Sequence, residues 1–345
     1  MFLHYDANEE LDCIVGIYVD DLVIAASTEL RANRVRQIFQ KRYKMEDLGE
    51  MKWFLGIQIQ RDDENEEIWM SQEAYIMTTL ERFGMLDCKP VGTPMVASDV
   101  LTKDDCPEEG SEEQEEMKKK PYREVIGCLL YIARCTRPDI AVAVNKLAKF
   151  VSNPGVKHWK AAKRTLRYLR GTKQYGIKFT TEGELTLSGF ADASWGDEDE
   201  EERRSTTGYL FKVGDNIVQW RTMVQKTTAR STTEAEYMAI SDAVLDGIWL
   251  RRLCDELGIP QDYPTIMYED NDSCKSVAEG DGVTRRTKHI DVRYHHIREK
   301  IKDGTFEVVH CPTEVMEADI LTKILAKPRF EKLRSMLGVE EVPSL

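Results

Sequence analysis

The chain has 345 residues, a formal net charge of −13 and eight cysteines. That length allows about two domains with substantial cores, and the cysteines form no C-x-x-C pair or even framework, so reduced thiols are expected rather than a disulfide scaffold or a zinc site. No signal peptide and no apolar run long enough to cross a bilayer can be read, which leads us to expect an intracellular protein, cytoplasmic or nuclear, with no membrane partner. The negative balance argues mildly against nucleic acid as a partner, although the distribution of charge weakens that objection.

In chain order, Cys13–Ile17 and Leu22–Ala26 read as two buried strands flanking a turn that carries Asp20 and Asp21. Adjacent carboxylates are costly in such a place unless a cation neutralises them. A helix is expected over Glu29–Arg42, a strand over Phe54–Ile59 and an amphipathic helix over Ser71–Phe83, followed by a loop with Pro90, Gly92 and Pro94. Asp104–Glu116 is acidic and lacks apolar periodicity, so it reads as a solvated linker. Helices near Tyr122–Ala133 and Asp139–Val151 lead to Lys157–Arg170, a stretch without acids. There Trp159, Ala162, Leu166 and Leu169 form an apolar stripe, and Lys160, Lys163, Arg164, Arg167 and Arg170 fall largely on the other faces. Such a helix suits a phosphate backbone, and a plainly solvated basic face is the alternative.

The remaining region is strand-rich. Leu185–Asp192 alternates and ends on an acid; Thr207–Val213 and Ile217–Trp220 form a hairpin; a long helix runs from Thr233 to about Leu257. A strand over Pro264–Glu269 ends at Asp270, and a helix near Val292–Asp303 and a strand at Phe306–His310 lead to Asp319. Glu236 lies in the first helical turn on the face of Ile240 and Ala243, so it should point towards the sheet. Asp192 and Asp270 end strands whose side chains can converge with Glu236, and such carboxylates suit Mg²⁺, which takes oxygen ligands and needs carboxylates together with substrate phosphate. Each also has an ordinary role open to it: Thr233-x-x-Glu236 fits a capping box, Asp270 or Asp272 could cap a helix, and Asp319 could be a surface acid.

Tyr18-Val19-Asp20-Asp21 resembles the YVDD box of reverse transcriptases, whose acids bind catalytic Mg²⁺. The order of three strands, helix, strand, helix, strand, helix is that of ribonuclease H folds. Ala191-Asp192-Ala193, Ala235-Glu236-Tyr237, Glu269-Asp270-Asn271 and Glu317-Ala318-Asp319 match that family's acidic positions in order. Ser205-Thr206-Thr207-Gly208-Tyr209, Ser231–Tyr237, Thr136-Arg137-Pro138-Asp139-Ile140 and Thr287-Lys288-His289-Ile290-Asp291 resemble specifically the Ty1/copia retrotransposon version. The resemblance covers nearly the whole chain. It implies an α/β (α+β multidomain) protein divided as follows: a truncated reverse-transcriptase palm over 1–83, a loop and acidic linker over 84–120, a helical thumb or connection over 121–180, a ribonuclease H-like mixed five-stranded sheet with helices over 181–325, and a tail helix over 326–345.

The activity so implied is a two-metal, Mg²⁺-dependent ribonuclease that cuts the RNA strand of an RNA–DNA hybrid, with Asp192, Glu236, Asp270 and Asp319 as catalytic metal ligands. Asp20 and Asp21 would be a polymerase remnant. The third metal-binding Asp of that family sits on an upstream strand, and neither Asp6 nor Asp12 replaces it, so polymerase activity is not expected unless another polyprotein-derived chain donates the residue. An inert nucleic-acid-binding remnant is the alternative. Ser231 and Thr232 lie where ribonuclease H enzymes contact RNA, with capping as their other reading. No catalytic His is assigned: Pro312–Met316 stands where relatives carry one, His310 lies back on the strand, and His289, His295 and His296 read as structural. Ser194 replaces a frequent second acid, and the acidic loop Asp197–Glu202 would repel a phosphate backbone at short range.

Overall fold

The computed structural model describes residues 1–6, 8, 11–196, 204–280 and 291–344, without the side chains of 291–295. The acidic loop Asp197–Glu202, His289 with its motif, and the side chain of His295 lie outside the described residues.

The chain opens with β1 (Phe2–Tyr5), β2 (Leu11–Tyr18) and β3 (Asp21–Ala26), a three-stranded antiparallel sheet. Tyr18 pairs with Asp21 across a two-residue turn in which Val19 takes a left-handed φ of 53°. The hairpin strands are not both buried as expected. Cys13 and Val15 are buried, whereas Ile17, Tyr18 and Val19 are 47%, 55% and 82% exposed. The physical reason is that α1 (Glu29–Arg42), which packs on this sheet, buries none of its own residues and covers only part of one face. Asp12 ties that helix to the sheet by a 2.9 Å ion pair with Arg31 and a 2.7 Å hydrogen bond from the Ser27 hydroxyl.

Next come β4 (Trp53–Phe54), β5 (Ile57–Asp62), β6 (Glu67–Ser71) and α2 (Glu73–Arg82). The single strand expected over Phe54–Ile59 is interrupted because Leu55 and Gly56 both adopt positive φ, 51° and 74°, the geometry of a tight hairpin turn. The acidic block is also more ordered than a solvated linker. Its second half forms α3 (Glu112–Lys118), with Ser111 accepting a hydrogen bond from the Gln114 amide, three glutamates in the first turn where the helix dipole favours them, and Met117 buried.

α4 (Tyr122–Cys135), α5 (Ala141–Ala148) and α6 (Val156–Gly171) follow, then β7 (Tyr175–Thr180). The Thr136–Ile140 motif is structural here. Arg137 grips Asp139 through two hydrogen bonds of 2.9 and 2.8 Å and donates to the Thr172 carbonyl and hydroxyl, with both charged side chains wholly buried. The Tyr168 hydroxyl donates to Asp139 at 2.5 Å. Burial opposes ionisation, yet the Arg137 guanidinium holds the Asp139 carboxyl below its ordinary range.

The third region contains β8 (Leu187–Ser194), β9 (Thr206–Val213), β10 (Asn216–Val224), α7 (Thr232–Glu256), β11 (Thr265–Glu269), α8 (Asp272–Glu279), α9 (Asp291–Lys302) and β12 (Phe306–His310). The chain closes with α10 (Lys327–Met336) and β13 (Val339–Glu341). One sheet has the order β10-β9-β8-β11-β12, antiparallel through β8 and parallel from β8 to β12, the mixed five-stranded sheet expected. The other five-stranded sheet, β13-β7-β6-β5-β4, joins strands from 53–71, 175–180 and 339–341. The segments that the resemblance divides as 1–83, 121–180 and 326–345 thus share one sheet.

Strand alternation covers the mixed sheet on both faces. Tyr209 and Phe211 pack with Ala239, Ile240 and Ala243 of α7, while Leu210 faces the core of α2, α4, α5, α6 and α10. Gly247 lets α7 lie close, since a Cβ there would sit 2.9 Å from both Phe211 and Phe306. Among the described residues, no helix is long and apolar enough to cross a membrane.

Candidate metal centre

Asp192 lies near the end of β8, the central strand, and its neighbour on β9 is Gly208. β11 runs parallel beside β8, so Asp270, just past its end, is delivered to the same edge of the sheet. Glu236 comes from the first turns of α7, which packs on β8. It faces the sheet as its helical position predicts: it is 6% exposed, and its Oε2 accepts a 2.6 Å hydrogen bond from the Ala193 amide. The capping roles go to other residues. Ser231 caps α7 by accepting from the Glu234 amide, and Asn271 caps α8 by accepting from the Cys274 amide.

Carboxylate oxygens of Asp192, Glu236 and Asp270 lie within 4.8 Å of one another, and this is the one such grouping of metal-ligating side chains among the described residues. Burial pushes Glu236 up to about 11, reinforced by Asp192 and Glu269, and it pushes Asp192 up to about 6 against the opposing pull of Lys323. An all-oxygen donor set of this kind fits a hard divalent cation. The buried Glu269 adds to the fit, because its Oε1 accepts from the Asn271 amide while its Oε2 has no hydrogen-bond partner. Asp270 is oriented by the Thr313 hydroxyl, which donates to its Oδ2 at 2.9 Å.

Asp319, the fourth expected acid, is in a 3₁₀ turn over Glu317–Leu321 and is fully buried rather than a surface acid. It stands outside the three-acid grouping. Lys323 bridges it to Asp192, donating to Asp192 Oδ1 at 2.9 Å and Asp319 Oδ1 at 2.5 Å. Arg329 of α10 donates to the other Asp319 oxygen, and the Thr322 hydroxyl donates to the other Asp192 oxygen. This packing depends on Gly208, where a Cβ would lie 2.6 Å from Thr322 Cγ2 and 2.8 Å from Leu321 Cβ. Lys323, Arg329, Thr322, Thr313 and Glu269 were missed from the sequence. Lys323 could have been found as the i+4 partner of Asp319, and Glu269 from the alternation Thr265, Met267, Glu269 on the buried face of β11.

The other expected site residues are elsewhere. Asp20 in the hairpin turn and Asp21 at the start of β3 are exposed and join no grouping of three ligating side chains among the described residues. Ser231 and Thr232 are exposed at the start of α7. On α6 the apolar stripe packs inward as expected, but three of the cations hold the chain itself. Arg164 donates to the Thr93 hydroxyl, Arg167 to the Lys89 carbonyl at 2.7 Å and Arg170 to the Leu86 carbonyl at 2.6 Å. Lys163 lies 5.8 Å over the Trp159 ring, and Lys160 is exposed. His310 is 3.1 Å from Asp272, not at the acids.

Sheet order, acidic edge and N-terminal hairpin define the class: a mixed α/β protein whose five-stranded sheet has the ribonuclease H-like order, with a separate three-stranded sheet at the N-terminus. Residues 1–97 match the family described as reverse transcriptase (RNA-dependent DNA polymerase). The chain is 39% identical over 327 residues to the retrovirus-related Pol polyprotein of transposon TNT 1-94 from Nicotiana tabacum, covering 94% of this chain and 24% of that protein. It is 31% identical over 246 residues to a transposon Ty5-1 protein of Saccharomyces cerevisiae, covering 71% of this chain and 77% of that protein. A solved ribonuclease H1 isolated from compost matches 43% of this chain and 97% of its own, with 16% identity and a TM-score of 0.32. The chain belongs to the Ty1/copia-type retrotransposon polyproteins. It spans about a quarter of the length of the transposon Pol polyproteins it matches.

Proposed function

We propose that this chain is a Mg²⁺-dependent ribonuclease that hydrolyses the RNA strand of RNA–DNA hybrids. The observation that carries the reading is the convergence of Asp192, Glu236 and Asp270 within 4.8 Å at one edge of the mixed sheet. A divalent ion bound there would supply Lewis-acid activation of a water and stabilisation of charge on the phosphoryl oxygens. Asp192, Glu236 and Asp270 would hold that ion, with the Ala193 amide and the Thr313 hydroxyl fixing two of the carboxylates. Asp319 is the fourth carboxylate of the site, held beside Asp192 by Lys323. In the reaction the water oxygen bonds to phosphorus as the P–O3′ bond breaks, and the products carry a 5′-phosphate and a 3′-hydroxyl. Ser231 and Thr232, exposed at the N-terminus of α7, are suited to contact the RNA backbone, and Lys160 and Lys163 of α6 a more distant phosphate.

Asp20 and Asp21 are proposed to lack polymerase activity in this chain, since no third described carboxylate joins them. The test is Mg²⁺-dependent cleavage of a labelled RNA–DNA hybrid by the parent, Asp192→Asn and Glu236→Gln. Cleavage of the RNA strand by the parent alone supports the reading. Equal silence of all three while the hybrid still binds identifies a binding protein instead.

A further inference from the structure

We propose that the cavity lined by Lys103, Lys149 and Arg204 is a second nucleic-acid contact, taking a phosphate-bearing nucleotide of a strand that also lies at the metal centre. The inference deepens the reading above and rests on it for the strand. The cavity has a volume of about 490 Å³, and Phe150, Ser152 and Val224 share its wall. Its described lining residues carry three cations and no acid, in a chain whose formal net charge is −13. A second cavity, of about 210 Å³, shows the contrast: Arg221 and Lys226 share it with Asp242 and Asp246, so its charges balance. Cations that converge without carboxylates in a concave site favour an anion, and Phe150 and Val224 offer apolar surface to a sugar or base.

The site spans two parts of the fold. Lys103 opens a 3₁₀ turn over Lys103–Asp105, Lys149 follows α5, Arg204 precedes β9 and Val224 ends β10. The Asp105 carboxylate accepts from Lys157 of α6 at 2.9 and 3.0 Å, which ties the turn to that helix. Asn153 donates to the Pro107 carbonyl at 3.0 Å, and Asn145 of α5 donates to the Thr222 carbonyl of β10 at 3.1 Å. Phe150 stacks on His158 with ring centroids 3.9 Å apart. The walls are therefore held before a ligand arrives. Strand register places them relative to the acids. Asp192, Gly208 and Thr222 form one row across β8, β9 and β10, and Ser194, Thr206 and Val224 form the next row on the same face. Val224 is thus two strands and two residues from Asp192, about 12 Å at ~4.8 Å between strands and ~3.4 Å per residue. A nucleic-acid strand rising about 3.4 Å per nucleotide covers that gap in about three or four positions, so one strand can occupy both sites.

The readout is binding in EDTA, where nothing is cut. Anisotropy of a labelled RNA–DNA hybrid long enough to span both sites is measured against salt for the full chain, with folding checked by circular dichroism. The variants are Lys103→Ala/Lys149→Ala, Arg204→Ala and Ser152→Glu. Lys41→Ala/Lys44→Ala, at two exposed positions on and just past α1, is the control for charge. The lysine pair should lower the salt slope by about two and Arg204→Ala by about one. At about 0.1 M salt, affinity should fall about tenfold or more for the lysine pair and for Ser152→Glu, and stay within about twofold for the control. Ser152 is exposed, so Ser152→Glu decides the matter if the lysine pair does not fold. Adenosine monophosphate, titrated by calorimetry, separates a free nucleotide from a strand, and it should bind only weakly. Saturable binding of it that the variants lose, with hybrid binding unchanged, makes the cavity a mononucleotide site and overturns the inference. Parent-like hybrid binding by every cavity variant, or an equal loss in the control, also overturns it and leaves the ribonuclease reading standing, since cleavage with Mg²⁺ is measured separately. A parent that binds no hybrid overturns both.

Discussion

Glu236 accepts a 2.6 Å hydrogen bond from the amide of Ala193, the residue that follows Asp192. The contact fastens the start of α7 to the end of β8 and so sets the spacing of two of the three converging carboxylates. Glutamine has the same shape and can still accept from that amide. Glu236→Gln is therefore expected to fold, to gain thermal stability without metal, and to lose hybrid cleavage on the order of 10²–10³-fold. Calorimetric melting beside a gel assay checks this; a Glu236→Gln variant that cleaves like the parent would remove Glu236 from the site.

The pH dependence of the metal-free protein follows from the same group. Burial raises Glu236 to about 11 in the fold, against an ordinary value of 4.5, so the folded state keeps a proton that the unfolded chain releases. Its contribution is complete below about pH 4.5 and is lost as pH rises towards about 11, by at most about 1.4 kcal/mol per pH unit. Asp192, raised to about 6, acts in the same sense at lower pH. Metal-free protein should melt at a lower temperature at pH 8 than at pH 6, and saturating Mg²⁺ should reverse the trend because it binds the ionised carboxylates. Melting curves with and without EDTA measure it, and a metal-free Tm that rises with pH over this interval would contradict it.

Gly208 sits opposite Asp192 and beneath Leu321 and Thr322. A methyl group there forces the 3₁₀ turn outward, so Gly208→Ala should cost about 1–3 kcal/mol in urea unfolding and weaken divalent-ion binding. Unaltered stability would mean that the turn yields freely.

The Arg137–Asp139 pair is wholly buried and joins α4, α6 and, through Tyr168 and Arg334, α10. Removing one partner strands the other charge, so Arg137→Ala or Asp139→Ala should each cost about 3–5 kcal/mol. The double variant should cost clearly less than the sum, and a double-mutant cycle in urea tests that coupling.

Arg167 and Arg170 hold the carbonyls of Lys89 and Leu86. Alanine at both positions should raise amide exchange across residues 84–94. By contrast, Lys160→Ala should leave exchange alone and lower the salt dependence of hybrid binding by a slope of about one. The opposite pattern would reassign the two arginines to nucleic acid.

Local pattern determined most of the elements. The helix over Glu29–Arg42, the strand Phe306–His310 and the inward face of Glu236 were legible because period and capping are properties of neighbouring residues, whereas the mixed sheet was legible only through the family resemblance. So was the set of acids at strand ends, through their motifs. Only the tertiary structure decided which charges meet. Lys323 lies between Asp192 and Asp319, residues 131 and 4 positions away, and α6 spends three arginines on residues more than seventy positions upstream. The sheet that joins 53–71, 175–180 and 339–341 was invisible for the same reason. Strand pairing and ion pairing across such distances are set by how whole elements pack, and no local period of the sequence carries that information.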